Sequence, residues 1–278
     1  MVEDGFPLTL DTKVTINYRR LPEQRDLARK NFRIFLDFLS RRGYSVRSVD
    51  DYSLLYRIER GSFSRFICDS DLNPCQTSKL LKDKVLTYIA LEQLGISVPS
   101  GTYFLLGSQD YADSRNDLYS FLERTPKPLV IKPNNSSLGK GITILRTYNQ
   151  KRVERAIASA NKYSDVVIVQ EYLTGEEFRI IAIEGEIVIA LQKYPKPRAP
   201  EEVSLSSTEC FRLMVRESMA DLGATVCGYD LIVDCESTKV LEINSNPFVV
   251  PIKPYLVDAT VERYFIRLEA LLRRSNGN

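Results

Sequence analysis

Residues 23–43, EQRDLARKNFRIFLDFLSRRG, place Leu27, Phe32, Phe35 and Leu39 at close to helical spacing and end on Gly43. This predicts an amphipathic helix with a glycine stop. KVTINYRR (13–20) before it and YSVRSV (44–49) after it read as strands, so residues 1–75 are expected to form a small α/β unit. The turn-rich segment CDSDLNPCQTS (68–78) is the expected boundary, with 76–278 as the main domain. Thr77 or Ser78 can cap a helix to about Leu94, with Leu81, Val85, Tyr88 and Leu91 on one side; Gly95 ends it and Pro99 keeps it from resuming.

Strand patterns follow at TYFLL, PLVIKP, GITILR, VVIVQEY and FRIIAIEGEIVIALQ, the last carrying a hairpin signal at Glu184–Gly185. A helix is expected from about Thr208 to Leu222, burying Phe211, Val215, Met219 and Leu222 and ending at Gly223. TVCGYDLIVD and KVLEI return to strand, and a helix is expected around 258–274. The pattern is mixed α+β, with antiparallel hairpins dominating the middle.

One strand is unusual. VLEINSNP (240–247) combines buried-type residues with Glu242 and Asn244, which point out of one face together. Read as a hairpin with the loop Cys235–Glu236–Ser237, the segment GYDLIVDCESTKVLEI pairs Asp234 with Thr238 and sets Asp230 opposite Glu242. Opposed side chains lie about 4.5–5.5 Å apart at Cβ, so two carboxylates there repel unless a cation lies between them. Asp, Glu and Asn oxygens are hard donors suited to Mg²⁺. The alternative is a solvated polar face.

Composition narrows the chemistry. The chain of 278 residues is 44% hydrophobic and 27% charged, ordinary globular values. A net charge of +2 argues against a nucleic-acid surface. No run of about 18 apolar residues predicts a membrane span, and the acidic start MVEDGFPLTL does not read as a signal peptide. Five cysteines without CxxC spacing read as structural or incidental thiols of a reducing cytoplasm. The histidine count of zero removes Ser-His-Asp, Cys-His and HExxH mechanisms, leaving carboxylates, lysines, arginines, backbone amides or an oxygen-bound metal.

A phosphate partner for such a metal is VIKPNNSSLGKGI (130–142). A buried-type strand delivers Lys132, and a loop of Asn, Ser and Gly leaves backbone N–H groups open to phosphate oxygens. It is neither a P-loop nor a Rossmann fingerprint, and it also reads as a plain hairpin turn. VIVQEYLTGEEF ends an apolar strand in Gln170–Glu171 and a connector that can offer backbone groups to a flat base, with Glu177 beyond to accept from a ribose.

In order, LLKDKVLTYIALEQLGISVP, LVIKPNNSSLGKGI, VIVQEYLTGEEFRI, GYDLIV and VLEINSNP resemble the ATP-grasp superfamily over about 76–256, most closely ligases of the glutathione-synthetase, cyanophycin-synthetase and ribosomal-protein-S6-modifying type. The resemblance implies two α+β subdomains clasping a nucleotide, preceded here by the short N-terminal unit. It implies ATP and one or two Mg²⁺ ions, with Mn²⁺ as a substitute. Lys84 (with Lys82 as rival) and Lys132 would contact phosphates. The flap 134–141, with Asn135, Ser136, Ser137, Gly139 and Gly141, would cover them. Gln170 would face the adenine amino group, Glu171 and Leu173 would bind the base through backbone, and Glu177 would hold the ribose. Asp230, Glu242 and Asn244 would be the metal ligands.

The reaction implied is cytoplasmic carboxylate–amine ligation through an acylphosphate, on an amino acid or peptide with a free carboxylate plus an amine acceptor. Arg179 shares a strand face with Glu177 and is expected, with Lys132, as catalytic: it would hold the acyl phosphate or oxyanion, a structural salt bridge being the alternative. D-alanine ligases place an Arg two residues before the metal Asp, where this chain has Gly228. Lys193 and Arg198 are expected either to bind the acceptor carboxylate or to form a solvated linker, and Asn246 to position substrate. A second subunit, a partner protein or a peptide substrate could complete the wall left by the short N-terminal unit. The rival readings are a small-molecule kinase of the same superfamily and a nucleotide-binding module without turnover.

Overall fold

Helix α1 (Glu23–Arg41) turns Phe32, Phe35, Leu36 and Leu39 inward, and the chain leaves it at Gly43 with φ 83°. The computed structural model describes residues 23–50, 55–106, 111–195, 197–235 and 237–274; the strand expected at 13–20 lies outside them. Strand β1 (Ser45–Ser48) follows, then β2 (Tyr56–Arg60) and β3 (Phe63–Ile67), in one antiparallel three-stranded sheet.

The single helix expected over 77–94 is two helices, α2 (Cys75–Lys82) and α3 (Lys84–Gln93). Asp83 breaks them: its backbone is extended, and its carboxylate caps α3 by accepting from Leu86 N at 2.9 Å. Pro74, not Thr77 or Ser78, precedes α2; Thr77 lies inside it and donates to the carbonyls of Leu222 and Gly223.

The next sheet has four antiparallel strands in the order β4-β7-β5-β6, from β4 (Gly101–Leu105), β5 (Leu129–Pro133), β6 (Thr143–Leu145) and β7 (Val166–Glu171). Helices α4 (Tyr111–Arg124) and α5 (Gln150–Asn161) cover one face, with Leu118, Leu122, Val153 and Ile157 packing on Leu129, Ile131, Val167 and Val169. Period-2 alternation puts Lys132, Ile168 and Gln170 on the other face.

The largest sheet runs β10-β9-β8-β11-β12, from β8 (Glu176–Ile183), β9 (Glu186–Lys193), β10 (Glu201–Glu202), β11 (Val226–Val233) and β12 (Thr238–Asn244). The β8–β9 turn is Glu184–Gly185, with φ 50° and 78°; two positive φ values match the right-handed strand twist. Ile180 and Ala182 pack under α6 (Glu209–Asp221), which buries Phe211, Val215 and Met219; Ile181 and Ile183 pack on the other face against α1 and α7 (Asp258–Arg274). No helix among the described residues is long and apolar enough to cross a membrane.

Within the turn-rich segment 68–78, residues 70–73 form a half-buried polar clamp. Asn73 Nδ2 donates to the carbonyls of Val226 (2.8 Å) and Ser245 (2.7 Å), and its Oδ1 accepts from Thr225 N (2.7 Å) and Val226 N (3.1 Å). Asn31 Nδ2 donates to Ser70 Oγ at 3.1 Å, and Ser70 Oγ donates to Asn246 Oδ1 at 3.1 Å. The helix before the clamp is thus tied to the loop after β12.

Candidate active site at the open end of the large sheet

Along one face of β11, Val226 joins the core shared with α7, while Gly228 and Asp230 continue beyond that cover. On β8 the same change runs from Ile183 and Ile181 to Arg179 and Glu177. Strand order brings these charged ends together: Asp230 is flanked by Arg179 on β8 and by Glu242 on β12. The expected Asp230–Glu242 juxtaposition is present, and Asn244 lies opposite Gly228 on the same face.

The register around the loop differs from expectation. Val233, not Asp234, pairs with Thr238, and Leu231 pairs with Val240. A β-bulge between Asp230 and Leu231 leaves Leu241 as the extra residue and restores the pairing at Asp230–Glu242. Val240 and Ile243, three apart, therefore both bury on the opposite face.

Repulsion at Asp230 is met by the chain's own cations. Arg179 NH1 donates to Oδ2 at 2.5 Å, and Lys193 Nζ donates to Oδ1 at 2.7 Å. Burial alone would raise the Asp230 carboxyl; Arg179 and Lys193 outweigh it and hold the carboxyl below its usual range. Lys193 also donates to Glu177 Oε1 at 2.7 Å, and the two carboxylates overcome the burial that would lower it, so its pKa is raised. Arg179 thus makes the salt bridge that was its alternative reading. Gly228 makes room for Pro247 rather than for the guanidinium: a Cβ there would lie 2.7 Å from Pro247 Cβ but 3.5 Å, an ordinary contact, from Arg179 NH2.

Across the cleft are two buried lysines. Lys84, the first residue of α3, donates from Nζ to the carbonyls of Asn134 (3.2 Å) and Ser136 (2.7 Å) and stands 3.8 Å from Glu242 Oε1. Lys82, its rival, is exposed and bears on Asp69 instead, so geometry favours Lys84. Asn134 Oδ1 accepts from Val85 N at 2.9 Å and clips the loop to α3. In that loop Asn135 and Gly139 are exposed, Ser136 donates to Lys140 O at 3.0 Å, and the Ser137 hydroxyl is buried without a hydrogen-bond partner. Gly141 takes φ 76° where a Cβ would press on Tyr163.

Lys132 Nζ donates to Tyr88 Oη at 2.7 Å and lies 5.0 Å from that ring's centroid. Burial, then the neighbouring Lys84 charge, lower the Lys132 pKa to about 7 against an opposing pull from Glu242. Tyr88 read as an apolar helix position in sequence; its placement four residues after Lys84, on the same helix face, was the available signal.

Gln170 is buried, its Oε1 lying 3.4 Å from Tyr88 Oη. Glu171 donates its backbone N–H to Ser100 O at 2.9 Å, and its carboxylate accepts from Ser100 N (2.8 Å) and Lys239 Nζ (2.5 Å). Leu173 is half-buried in the connector to β8. Asn246 is held by Ser70. Arg198 is not in the cluster: it is exposed, bonded to Glu201 at 3.0 Å and stacked 3.5 Å from the Tyr194 ring centroid. The structure therefore separates Lys193, in the cleft, from Arg198, on a solvated connector.

Among the described residues no group of three or more Asp, Glu, Cys or His side chains could hold a metal. Two carboxylates and one amide on a single sheet face nevertheless fit a hard divalent ion of the Mg²⁺ kind, which keeps waters and takes phosphate oxygens for its remaining positions.

Residues 65–178 match the family described as "Sugar-transfer associated ATP-grasp". Over 188 residues the chain is 26% identical to the glutathione biosynthesis bifunctional protein GshAB of Listeria innocua serovar 6a, covering 65% of this chain and 22% of that protein. The chain thus spans about a fifth of that relative's length. Among solved structures, D-alanine–D-alanine ligase from Bacillus anthracis complexed with ATP gives a TM-score of 0.56 at 19% identity, covering 74% of this chain and 70% of that one. The ATP-grasp ligase PsnB, complexed with a phosphomimetic variant of minimal precursor, Mg and ADP, gives 0.54 at 20% identity, covering 72% and 60%.

Proposed function

The chain has the ATP-grasp fold, and from that premise we propose that it is an ATP-dependent ligase joining an amino-acid or peptide carboxylate to an amine through an acylphosphate. One observation carries this reading. Lys84 Nζ sits between the carbonyls of the Asn134–Ser136 loop and Glu242 Oε1, joining a phosphate-type loop to a face of hard oxygen donors. The names of the similar proteins add support, since they include a glutathione biosynthesis bifunctional protein, a D-alanine–D-alanine ligase and a ligase complexed with a variant of a minimal precursor.

In this reading Asp230, Glu242 and Asn244 hold Mg²⁺, which when bound neutralises charge on the triphosphate. Lys84 and Lys132 hold the phosphates from the opposite side, with the Asn134–Gly141 loop above them. Gln170, Glu171 and Leu173 hold the base, and Glu177 the ribose. Phosphoryl transfer needs positioning and charge neutralisation more than covalent participation by protein, so a chain without histidine is adequate. Arg179 holds Asp230 in its charged form and presents its guanidinium over Gly228, where a developing anion could be received. Lys193 is placed for an acceptor carboxylate once Glu177 and Asp230 take other partners; Asn246 positions substrate beside it. A cytoplasmic setting belongs to the same reading.

The test is incubation with ATP, Mg²⁺ and a library of amino acids and peptides, reading phosphate release and, by mass spectrometry, products formed with loss of water. Glu242→Gln should abolish turnover with the circular-dichroism spectrum and melting temperature retained. Turnover at the wild-type rate in that variant would discredit the assignment. The rival reading is a small-molecule kinase of the same fold, in which a hydroxyl accepts the phosphoryl group. That reaction yields a phosphorylated product without free phosphate, so the same assay separates the two.

A further inference from the structure

We propose that Tyr88 is a positioning residue of the triphosphate site, its hydroxyl fixing the ammonium group of Lys132 against the backbone of β12. The inference rests on the nucleotide reading above and extends it to a side chain given no role there.

Three observations converge on the Tyr88 hydroxyl. It accepts from Lys132 Nζ at 2.7 Å, and it donates to the carbonyl of Leu241 at 2.5 Å. Leu241 is the extra residue of the β12 bulge, next in sequence to Glu242. The bulge that sets Glu242 opposite Asp230 thus leaves unpaired ladder groups beside it, and Tyr88 engages one of them. A phenol has one proton to donate; with that proton on Leu241 O, the oxygen meets Lys132 as an acceptor. Burial, then the Glu242 charge, push the phenol pKa up, so it remains a neutral donor. The hydroxyl therefore joins Lys132 of the four-stranded sheet to the metal-type strand of the five-stranded sheet.

Helix α3 makes this possible. Lys84 and Tyr88 are one turn apart, so a single helix face sends Lys84 to the phosphate-type loop and Tyr88 to Lys132. The face is fixed at both ends, by Asn134 Oδ1 on Val85 N and by Val240 N donating to Ser97 O at 2.9 Å just beyond the helix. A long lysine side chain has several rotamers to lose on ordering. The hydroxyl holds that amino group before any ligand arrives. Lys84 and Lys132 repel one another, and without the phenol oxygen the Lys132 ammonium would swing away.

The experiment is a double-mutant cycle on the affinity for AMP-PNP with Mg²⁺, by calorimetry on the full chain. Its corners are wild type, Tyr88→Phe, Lys132→Met and the pair, each with a melting temperature. Tyr88→Phe keeps the ring and removes only the hydroxyl. We expect about a tenfold loss of affinity in the wild-type background and less than about twofold in the Lys132→Met background, because residues acting through one another are non-additive. Equal losses in both backgrounds, or a lowered melting temperature with affinity unchanged, would make Tyr88 a structural tie and overturn the inference. Should Tyr88→Phe not fold, 4-aminophenylalanine in place of Tyr88, a weaker acceptor that keeps a donor, takes its place in the cycle. It should lose about threefold beside Lys132 and nothing beside Met, and equal effects would again refute the role. Wild-type protein that fails to bind AMP-PNP and Mg²⁺ would overturn the nucleotide reading and this inference together; wild-type binding with additive losses would overturn this inference alone.

Discussion

Binding a triphosphate should make this protein take up a proton, and the amount follows from Lys132. Buried on β5, beside Lys84 and facing Glu242 and the Tyr88 hydroxyl, its pKa is lowered to about 7. In the free protein it is then about half charged at pH 7 and about nine-tenths neutral at pH 8. A polyphosphate against it favours the ammonium form by direct Coulomb attraction in a poorly hydrated cleft. Binding should therefore take up about 0.1 proton at pH 6, about 0.5 at pH 7 and about 0.9 at pH 8. The same group sets a stability trend. Its folded pKa lies below the unfolded value, so the unfolded chain holds more protons between about pH 7 and 10.5, and stability gains about 1.4 kcal/mol per pH unit across that window. The assay is calorimetry of AMP-PNP with Mg²⁺ in buffers of different ionisation enthalpy, where heat against buffer enthalpy gives protons transferred. Lys132→Arg keeps the charge but does not titrate in this range, so subtracting it removes the nucleotide's own protonation. A zero slope at pH 8, or one equal in Lys132→Arg, would refute the assignment of a discharged, phosphate-facing Lys132.

Two further substitutions test the scaffold. Gly228→Ala places a Cβ 2.7 Å from the Pro247 ring and 3.5 Å from the Arg179 guanidinium, and the ring cannot swing aside; overpacking of that kind costs about 1–3 kcal/mol, read as a fall in denaturation midpoint. Asn73→Ala leaves the carbonyls of Val226 and Ser245 and the N–H groups of Thr225 and Val226 without a shared partner. At about 1–3 kcal/mol per buried group left unsatisfied, urea denaturation should show a loss above about 3 kcal/mol, and a loss under about 1 kcal/mol would mean the clamp is not structural.

Much of the fold was legible because it is written in local periodicity. Helix α1, the Glu184–Gly185 hairpin, α6 and α7 follow from apolar spacing and from glycines where φ turns positive. Asp83 misled the reading of 77–94, since the apolar stripe runs unbroken through a break imposed by an extended backbone and a new cap. The Asp230–Glu242 pairing was reached by a register wrong at the loop end. A shorter assumed loop and an unforeseen bulge at Leu241 offset each other, and a bulge has no signature in a strand without glycine.

By itself the sequence determined which side chains could do chemistry: five motifs in order, hard oxygen donors two apart on a strand, lysines before a Gly- and Ser-rich loop, and no histidine. Only the tertiary structure decided which of them meet. It brought Lys84, and not Lys82, to Glu242, put Lys193 in the cleft and Arg198 outside it, gave Asp230 to Arg179, and brought Tyr88 to residues 44 and 153 positions away. The physical reason is that periodicity assigns a side chain to a face, whereas a hydrogen bond needs two faces brought within about 3 Å by the packing of whole sheets.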